Sequence, residues 1–522
     1  MKTYIYQLFL LLPLLCFTQN YNISKTSGQG LWNSCSTWNY PIEIYNTIND
    51  YKVVNAGVTI TQTQPIVYAK KIVLSGPNAK VILNPNTKIS FIGNNITSIA
   101  NCNSNNSDNI IVNFEEGIIN KPLTGFLHGI DPNTAIPSNV SELEPTSWRV
   151  RDTSFYQKAY DLATRVTLVL SDTYTYGYPN WNPNWIAPNL EPLNYINSLA
   201  TKFQWGSSKP GLVWECWNEP NLSTYWAGSQ NDFFETYKLF YNTLRENLGS
   251  NALAAGPSLS TFNATYMEAF FDYCLYNDLE VNAITWHELQ PTNTGSYSQL
   301  VNNVQYVRDK FFNNPKYNRL NFKTIEVNEI VAEIDKDNPV AAISHLGYLE
   351  KVGVDYTCKS CWEETINGIY QNSCESTMLN NLFTYDGKTT SNWWAYKLYS
   401  NGANGRVRSY NENRKGIVIA SAPTQDSANI LLGYSDTLSG NIKIELNNID
   451  IVFPGTNTTT NLYLNVKKIP NQGPNTELAK PLPYVQNQVV HYDVNGNIVL
   501  NLTFTKDDVY EIQITKNLVP WR

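Results

Sequence analysis

Two glutamates define the chemistry open to this sequence. Glu219 stands in the run Trp217-Asn218-Glu219-Pro220, just past the apolar stretch Leu212-Trp217. Glu326 stands in Thr324-Ile325-Glu326-Val327-Asn328, within a second β-branched stretch. Two carboxyls facing one cleft divide the labour of breaking an acetal: one, protonated, donates to the leaving oxygen, and the other, ionised, meets the cationic carbon left behind. That chemistry requires no cofactor and no metal. Asn218 beside the acid would hold the hydroxyl next to the reacting carbon, and Pro220 fixes the turn that aims Glu219. An Asn-Glu-Pro run alone is common; its place at a strand end, with a second carboxyl in register, gives it weight. Glu329 is the rival to Glu326, and Glu326 is favoured because strict alternation along an unbroken strand turns Glu329 to the opposite face.

Other side chains could line the same mouth. His128 ends an apolar run and would face the sugar, although a buried structural histidine reads the same way. Arg149 and Arg151 flank another strand end, where one could orient a carboxylate through a charge-assisted bond. Arg151 has the later position and is favoured, against a surface ion pair. Asp172 either ends a strand or caps a turn. Trp362 could stack on a sugar ring or pack in a core. Tyr174, Tyr176, Tyr178, Trp181 and Trp185 crowd one loop that could wall a cleft. A zinc-protease reading of His287-Glu288 fails because Pro291 stands where a second histidine is required. No Gly-x-Ser-x-Gly elbow is present.

The elements that must position these residues alternate between strand and helix from about Leu123 to Ser400. Strand candidates are Leu123-Ile130, Ser147-Arg151, Val166-Asp172, Leu212-Trp217, Ala252-Pro257, Ala283-His287, Thr324-Val327 and Tyr356-Trp362. Between them run helical stripes, clearest in Phe233, Tyr237, Phe240, Leu244 and Leu248, with Asp232 near the start and Gly249 just past the end. Eight such units predict a (β/α)8 TIM barrel, whose catalytic groups stand where strands end and loops begin. An open doubly wound sheet is the alternative, but no Gly-rich phosphate loop follows any strand. The expected organisation is therefore a leader at 1–18, a β-rich N-terminal domain at 19–120, the barrel at 121–405, and a C-terminal β-sandwich at 406–522.

Within that barrel the sequence resembles the clan A glycoside hydrolases, and among them most closely glycoside hydrolase family 39. The resembling segments are Gly125-Gly129 (Gly-Phe-Leu-His-Gly), Trp214-Pro220, Ala283-His287, Thr324-Asn328 and Trp393-Lys397. The resemblance implies a retaining hydrolase of O-glycosidic bonds with Glu219 as acid/base and Glu326 as nucleophile. It also implies that Asn218 binds the neighbouring sugar hydroxyl and that His287 hydrogen-bonds near the nucleophile. Val327 departs from the family, whose members often carry Trp or Tyr after the nucleophile.

Composition agrees with a carbohydrate partner and excludes others. The 522 residues carry a net charge of −7, so phosphate-rich nucleic acid is excluded as a partner. Fourteen Trp and 34 Tyr supply flat rings for sugar faces, although most such rings serve cores. Lys2 followed by the apolar run Leu8-Phe17 reads as a secretory leader cut before Gln19, too short to span a bilayer, and no membrane span is expected. Export permits disulfides, with Cys35 and Cys102 as one pair and Cys374 joined to Cys358 or Cys361. Sequons at Asn22, Asn95, Asn105, Asn139, Asn221, Asn263, Asn457 and Asn501 predict some glycosylation in a eukaryotic source. Two other functions use the same residues or scaffold: transglycosylation, and carbohydrate binding without turnover.

Overall fold

A computed structural model describes the strands alone among residues 1–108, and then residues 109–519 apart from 119–120, 130–136, 151–152, 172–210, 227, 290–295, 367, 375, 377, 412–415 and 435–439. The leader, the Cys35–Cys102 pairing, Arg151, Asp172 and the aromatic loop at 174–185 lie outside the described residues.

The chain divides into two units, Met1–Ser104 and Asn105–Arg522. In the first, short strands stack in parallel. Tyr21–Ile23, Tyr51–Val54 and Lys71–Leu74 form one ladder, while Gln29–Leu31, Thr59–Gln62 and Lys80–Leu83 form another. Successive β-branched runs thus pair with the equivalent run one coil later, the arrangement of a β-solenoid.

The second unit is built on a closed barrel of eight parallel strands. In order they are Gly125–Leu127, Ser147–Val150, Arg165–Val169, Leu212–Glu215, Leu253–Leu259, Ala283–Glu288, Thr324–Ile330 and Tyr356–Lys359. Apolar residues such as Trp148, Val166, Trp214, Ile284, Ile325 and Val327 belong to the main core. The alternate positions carry small or polar groups, among them Val213, Ala255 and Ala283 packed together. This period of two lets one strand present a greasy face to the helices and chemistry to the lumen. The helix Gln230–Leu248 begins where expected, with Ser229 and Asp232 exchanging a capping box, and stops at Gly249.

The C-terminal strands form one continuous nine-stranded sheet wrapped on a core that includes Ile110, Val418, Ile444, Leu464 and Ile512. Its two edge strands, Leu482–Val490 and Ile498–Phe504, are linked by the Tyr484 hydroxyl donating to the Thr503 carbonyl at 2.7 Å. The expected boundary at 120 moves, because the strand Asn109–Gly117 sits inside this sheet. It pairs with Arg406–Asn411 on one side and Gly440–Asn447 on the other. The sheet in turn packs on the barrel helix Pro339–Lys351: a side chain at Gly347 would strike Ile417, and one at Gly433 would strike Val340. No described helix is long and apolar enough to cross a membrane.

Candidate active site

Glu219 lies just beyond the fourth barrel strand with φ +50°, a left-handed conformation that costs a non-glycine residue about 1 kcal/mol or more. Its backbone N–H donates to the Ser258 carbonyl at 2.9 Å, so the end of the fifth strand holds that turn in place. The Trp217 indole, donating to the Tyr225 carbonyl at 3.0 Å and packed edge-on against Trp226, fixes the stem of the same loop. His287, fully buried at the end of the sixth strand, has Nδ1 at 2.9 Å from Glu219 Oε1.

The second carboxylate here is Glu329. His287 Nε2 stands 3.7 Å from Glu329 Oε1, and one donor atom from each of Glu219, His287 and Glu329 lies within 4.8 Å of the others. This corrects the expectation for Glu326, and the cause is a β-bulge. Trp286 pairs with Val327 but His287 pairs with Glu329, so Asn328 is one residue too many for the ladder. The eighth strand registers the same irregularity between Val327 and Ile330. A bulge resets alternation: Asn328 turns inward to donate to Glu215 Oε1 at 2.7 Å, and Glu329 turns inward directly after it.

Glu326 occupies the other end of the barrel. Its carboxylate takes a short charge-assisted bond from Arg165 and accepts from the Thr324 hydroxyl at 2.7 Å. Arg165, Thr324 and Tyr356 are the first residues of their strands, and the guanidinium lies 5.0 Å over the Tyr356 ring. The pair plugs the closed end of the barrel, far from where loops can shape a substrate pocket.

Arg149 is the residue that organises the open end. It is wholly buried, and its Nε donates to Glu215 Oε2 at 2.7 Å and its Nη1 to Glu329 Oε1 at 2.6 Å. Nη2 donates to Asn218 Oδ1 at 2.9 Å and to Ser258 Oγ at 3.2 Å. The favoured Arg151 lies outside the described residues; alternation turns Arg149 inward, since both its neighbours in sequence, Trp148 and Val150, belong to the main core. The orienting arginine was in view as the weaker of two candidates, and parity could not separate them, because Arg149 and Arg151 lie on either side of Val150; the strand's end at Val150 does.

Burial raises the pKa of Glu329, with the Glu219 charge adding to the rise, while His287, Arg149 and His128 oppose it. His128, half-buried after the first strand with φ +49°, is therefore close enough to act on Glu329. Trp362 is half-buried after the eighth strand, its indole donating to the Val331 carbonyl at 3.3 Å. Val331 itself sits at φ +75°, a conformation that a β-branched residue holds only under constraint, two residues past Glu329. Behind Trp362 the disulfide is Cys361–Cys374, leaving Cys358 a buried thiol.

Glu219, His287 and Glu329 include donor types that bind divalent cations, but Arg149 already occupies Glu329 Oε1, and the arrangement reads as a two-carboxyl acid/base centre.

Comparison with known proteins agrees with this geometry. The family model for Glycosyl hydrolases family 39 matches residues 204–340, a segment that holds Asn218, Glu219, His287 and Glu329. Among solved structures, N2152 from Neocallimastix frontalis superposes with a TM-score of 0.64 at 20% identity, over 79% of this chain and 100% of that one. A GH39 enzyme from Xanthomonas axonopodis pv. citri gives a TM-score of 0.52 at 13% identity, over 78% and 97% of the two chains. A monomeric beta-xylosidase from Caulobacter crescentus gives 0.52 at 14% identity, over 78% and 99%. At such identities these structures speak for the fold, and the matched segment speaks for the chemistry. The chain is a glycoside hydrolase of the clan A barrel type, most similar to family 39.

Proposed function

We propose that the protein is an exported, retaining glycosidase acting on an oligo- or polysaccharide, with Glu219 as acid/base and Glu329 as nucleophile. The observation that carries this reading is the separation of the two carboxyls, within 4.8 Å through their nearest oxygens. Retaining enzymes hold the pair about 5 Å apart, whereas inverting enzymes leave about 6.5–9.5 Å for a water. In the first step Glu329 attacks the anomeric carbon while Glu219 gives its proton to the departing oxygen. In the second, Glu219 takes a proton from water, and that water displaces Glu329.

The neighbours have definite tasks in this scheme. Arg149 and His287 both approach Glu329 Oε1, which leaves Oε2 as the attacking atom. Arg149 also fixes the orientation of the Asn218 amide by binding its oxygen, so the NH2 group is offered to the sugar hydroxyl beside the reacting carbon. His287 exchanges a hydrogen bond with Glu219 through both of that carboxyl's protonation states. His128 and Trp362 flank the mouth as sugar contacts.

Small-anion rescue distinguishes the two carboxyl roles. With aryl glycosides and azide, Glu329→Gly is expected to yield a glycosyl azide of inverted configuration, and Glu219→Ala one of retained configuration. Undiminished turnover by Glu329→Gln would remove it from the mechanism. Sugar binding without turnover by the unaltered protein would favour a binding module instead. Export is tested by sequencing the secreted product, expected to begin at Gln19.

A further inference from the structure

Asn221 is a sequon asparagine two residues past the catalytic acid, and both its amide nitrogen and its amide oxygen are hydrogen-bonded within the fold. Its Nδ2 donates to Ser260 Oγ at 2.8 Å, and its Oδ1 accepts from the Ser260 backbone N–H at 2.9 Å. With the Glu219 N–H on the Ser258 carbonyl at 2.9 Å, three hydrogen bonds tie residues 219–221 to residues 258–260. Two of the three pass through Asn221. Both facing segments contain a left-handed residue, Glu219 at φ +50° and Ser258 at φ +57°, neither of which is a conformation the chain prefers unaided. Pro220 adds to the tension, because a residue before proline is normally driven to extended backbone. Something must hold Glu219 in its turn, and the Asn221–Ser260 pair is placed to do so.

We infer that Asn221 is a positioning residue for the acid/base Glu219 and not a point of carbohydrate attachment. The inference rests on the role proposed for Glu219. It also follows from amide geometry. Asn221 meets Ser260 with oxygen and nitrogen on one edge, so it uses the N–H lying on the same side as Oδ1. In a trans N-glycosyl amide that position is taken by the sugar carbon. A glycan there would remove the bond to Ser260 and force the two segments apart.

The test is a leaving-group comparison. A dinitrophenyl glycoside departs without proton donation, whereas a phenyl glycoside needs it. Asn221→Ala is expected to lower kcat/KM for the phenyl glycoside about tenfold and to change that for the dinitrophenyl glycoside less than about twofold. Asn221→Asp, able to accept from both Ser260 groups once the hydroxyl turns round, should recover part of the loss. If Asn221→Ala fails to fold, Ser260→Ala removes one bond of the pair and should give a smaller loss, again confined to the phenyl substrate. Equal losses on both substrates, or none on either, would overturn the inference. So would peptide mapping of active protein from a eukaryotic host that found a glycan on Asn221. Glu219→Gln measured alongside separates the two readings: full phenyl-glycoside turnover in that variant would remove the acid assignment itself.

Discussion

Glu326→Gln is the substitution that most directly tests the orientation of the site within the barrel. Glu326 is 1% exposed and Arg165 5% exposed, and each is the other's charge partner. Glutamine keeps the shape and can still accept from Arg165 and Thr324, but it leaves a buried guanidinium without a countercharge. Removing one partner of a buried pair costs about 3–5 kcal/mol, and the retained hydrogen bonds put this case at the lower end, about 3 kcal/mol. For a unit of this size that corresponds to a fall in melting temperature of roughly 3–4 °C. Turnover by the folded fraction should stay within about twofold of the unaltered enzyme, because the lesion is at the closed end of the barrel. Glu329→Gln should do the reverse, reducing turnover roughly a thousandfold or more with little loss of stability. The assay is paired: a melting curve and kcat/KM at one pH for each variant. A Glu326→Gln protein of unchanged stability and abolished turnover would refute the reasoning and return the nucleophile to position 326.

Other expectations follow from the same geometry. Glu329 works ionised and burial raises its pKa, so the acid limb of kcat/KM should lie above the ordinary glutamate range, with activity lost as pH falls through it. Arg149 opposes that rise, so Arg149→Met should move the limb further up and destabilise the fold by about 3 kcal/mol or more, since Glu215 and Glu329 both lose a cation; an unmoved limb would contradict it. Glu288, buried against Trp286 and Asn303, has its pKa pushed up to about 7 by desolvation. Its folded value exceeds its unfolded one, so it contributes stability below about pH 4.5 that is lost as pH rises towards 7. Glu288→Gln should flatten the stability–pH curve across that window in denaturant titrations. Opening the Cys361–Cys374 loop with Cys361→Ser should cost about 2–3 kcal/mol and loosen Trp362, raising KM more than it lowers kcat.

Much of this architecture was legible in the chain because the periodicities are strong. Eight apolar runs gave eight barrel strands, and the stripe from Phe233 to Leu248 gave a helix with the expected ends. Glu219 was legible because it lies within four residues of the end of its strand, with no bulge in between. Glu329 was misread because period two holds only while the ladder is unbroken, and the extra residue at Asn328 has no local signature. Arg149 and Arg151 share one parity, so choosing between them required knowing where the strand stops. The strand Asn109–Gly117 reads as the end of the first β region, since nothing local in a β-branched run names a partner some three hundred residues away.

That strand has a consequence for how the protein is made. It occupies an interior place in its sheet, between partners contributed only after the whole barrel has been synthesised. The barrel is therefore an insertion within the sheet's own sequence, and the nascent chain must carry one unpaired strand until the last domain emerges. The entropic penalty for so long a closure is modest, growing only with the logarithm of length, and a barrel already folded brings the two ends together. An expression fragment cut at residue 120 would leave a slot in the middle of the sheet, open to the matching strand of another molecule. Fragments beginning before Asn109 would keep that slot filled from within.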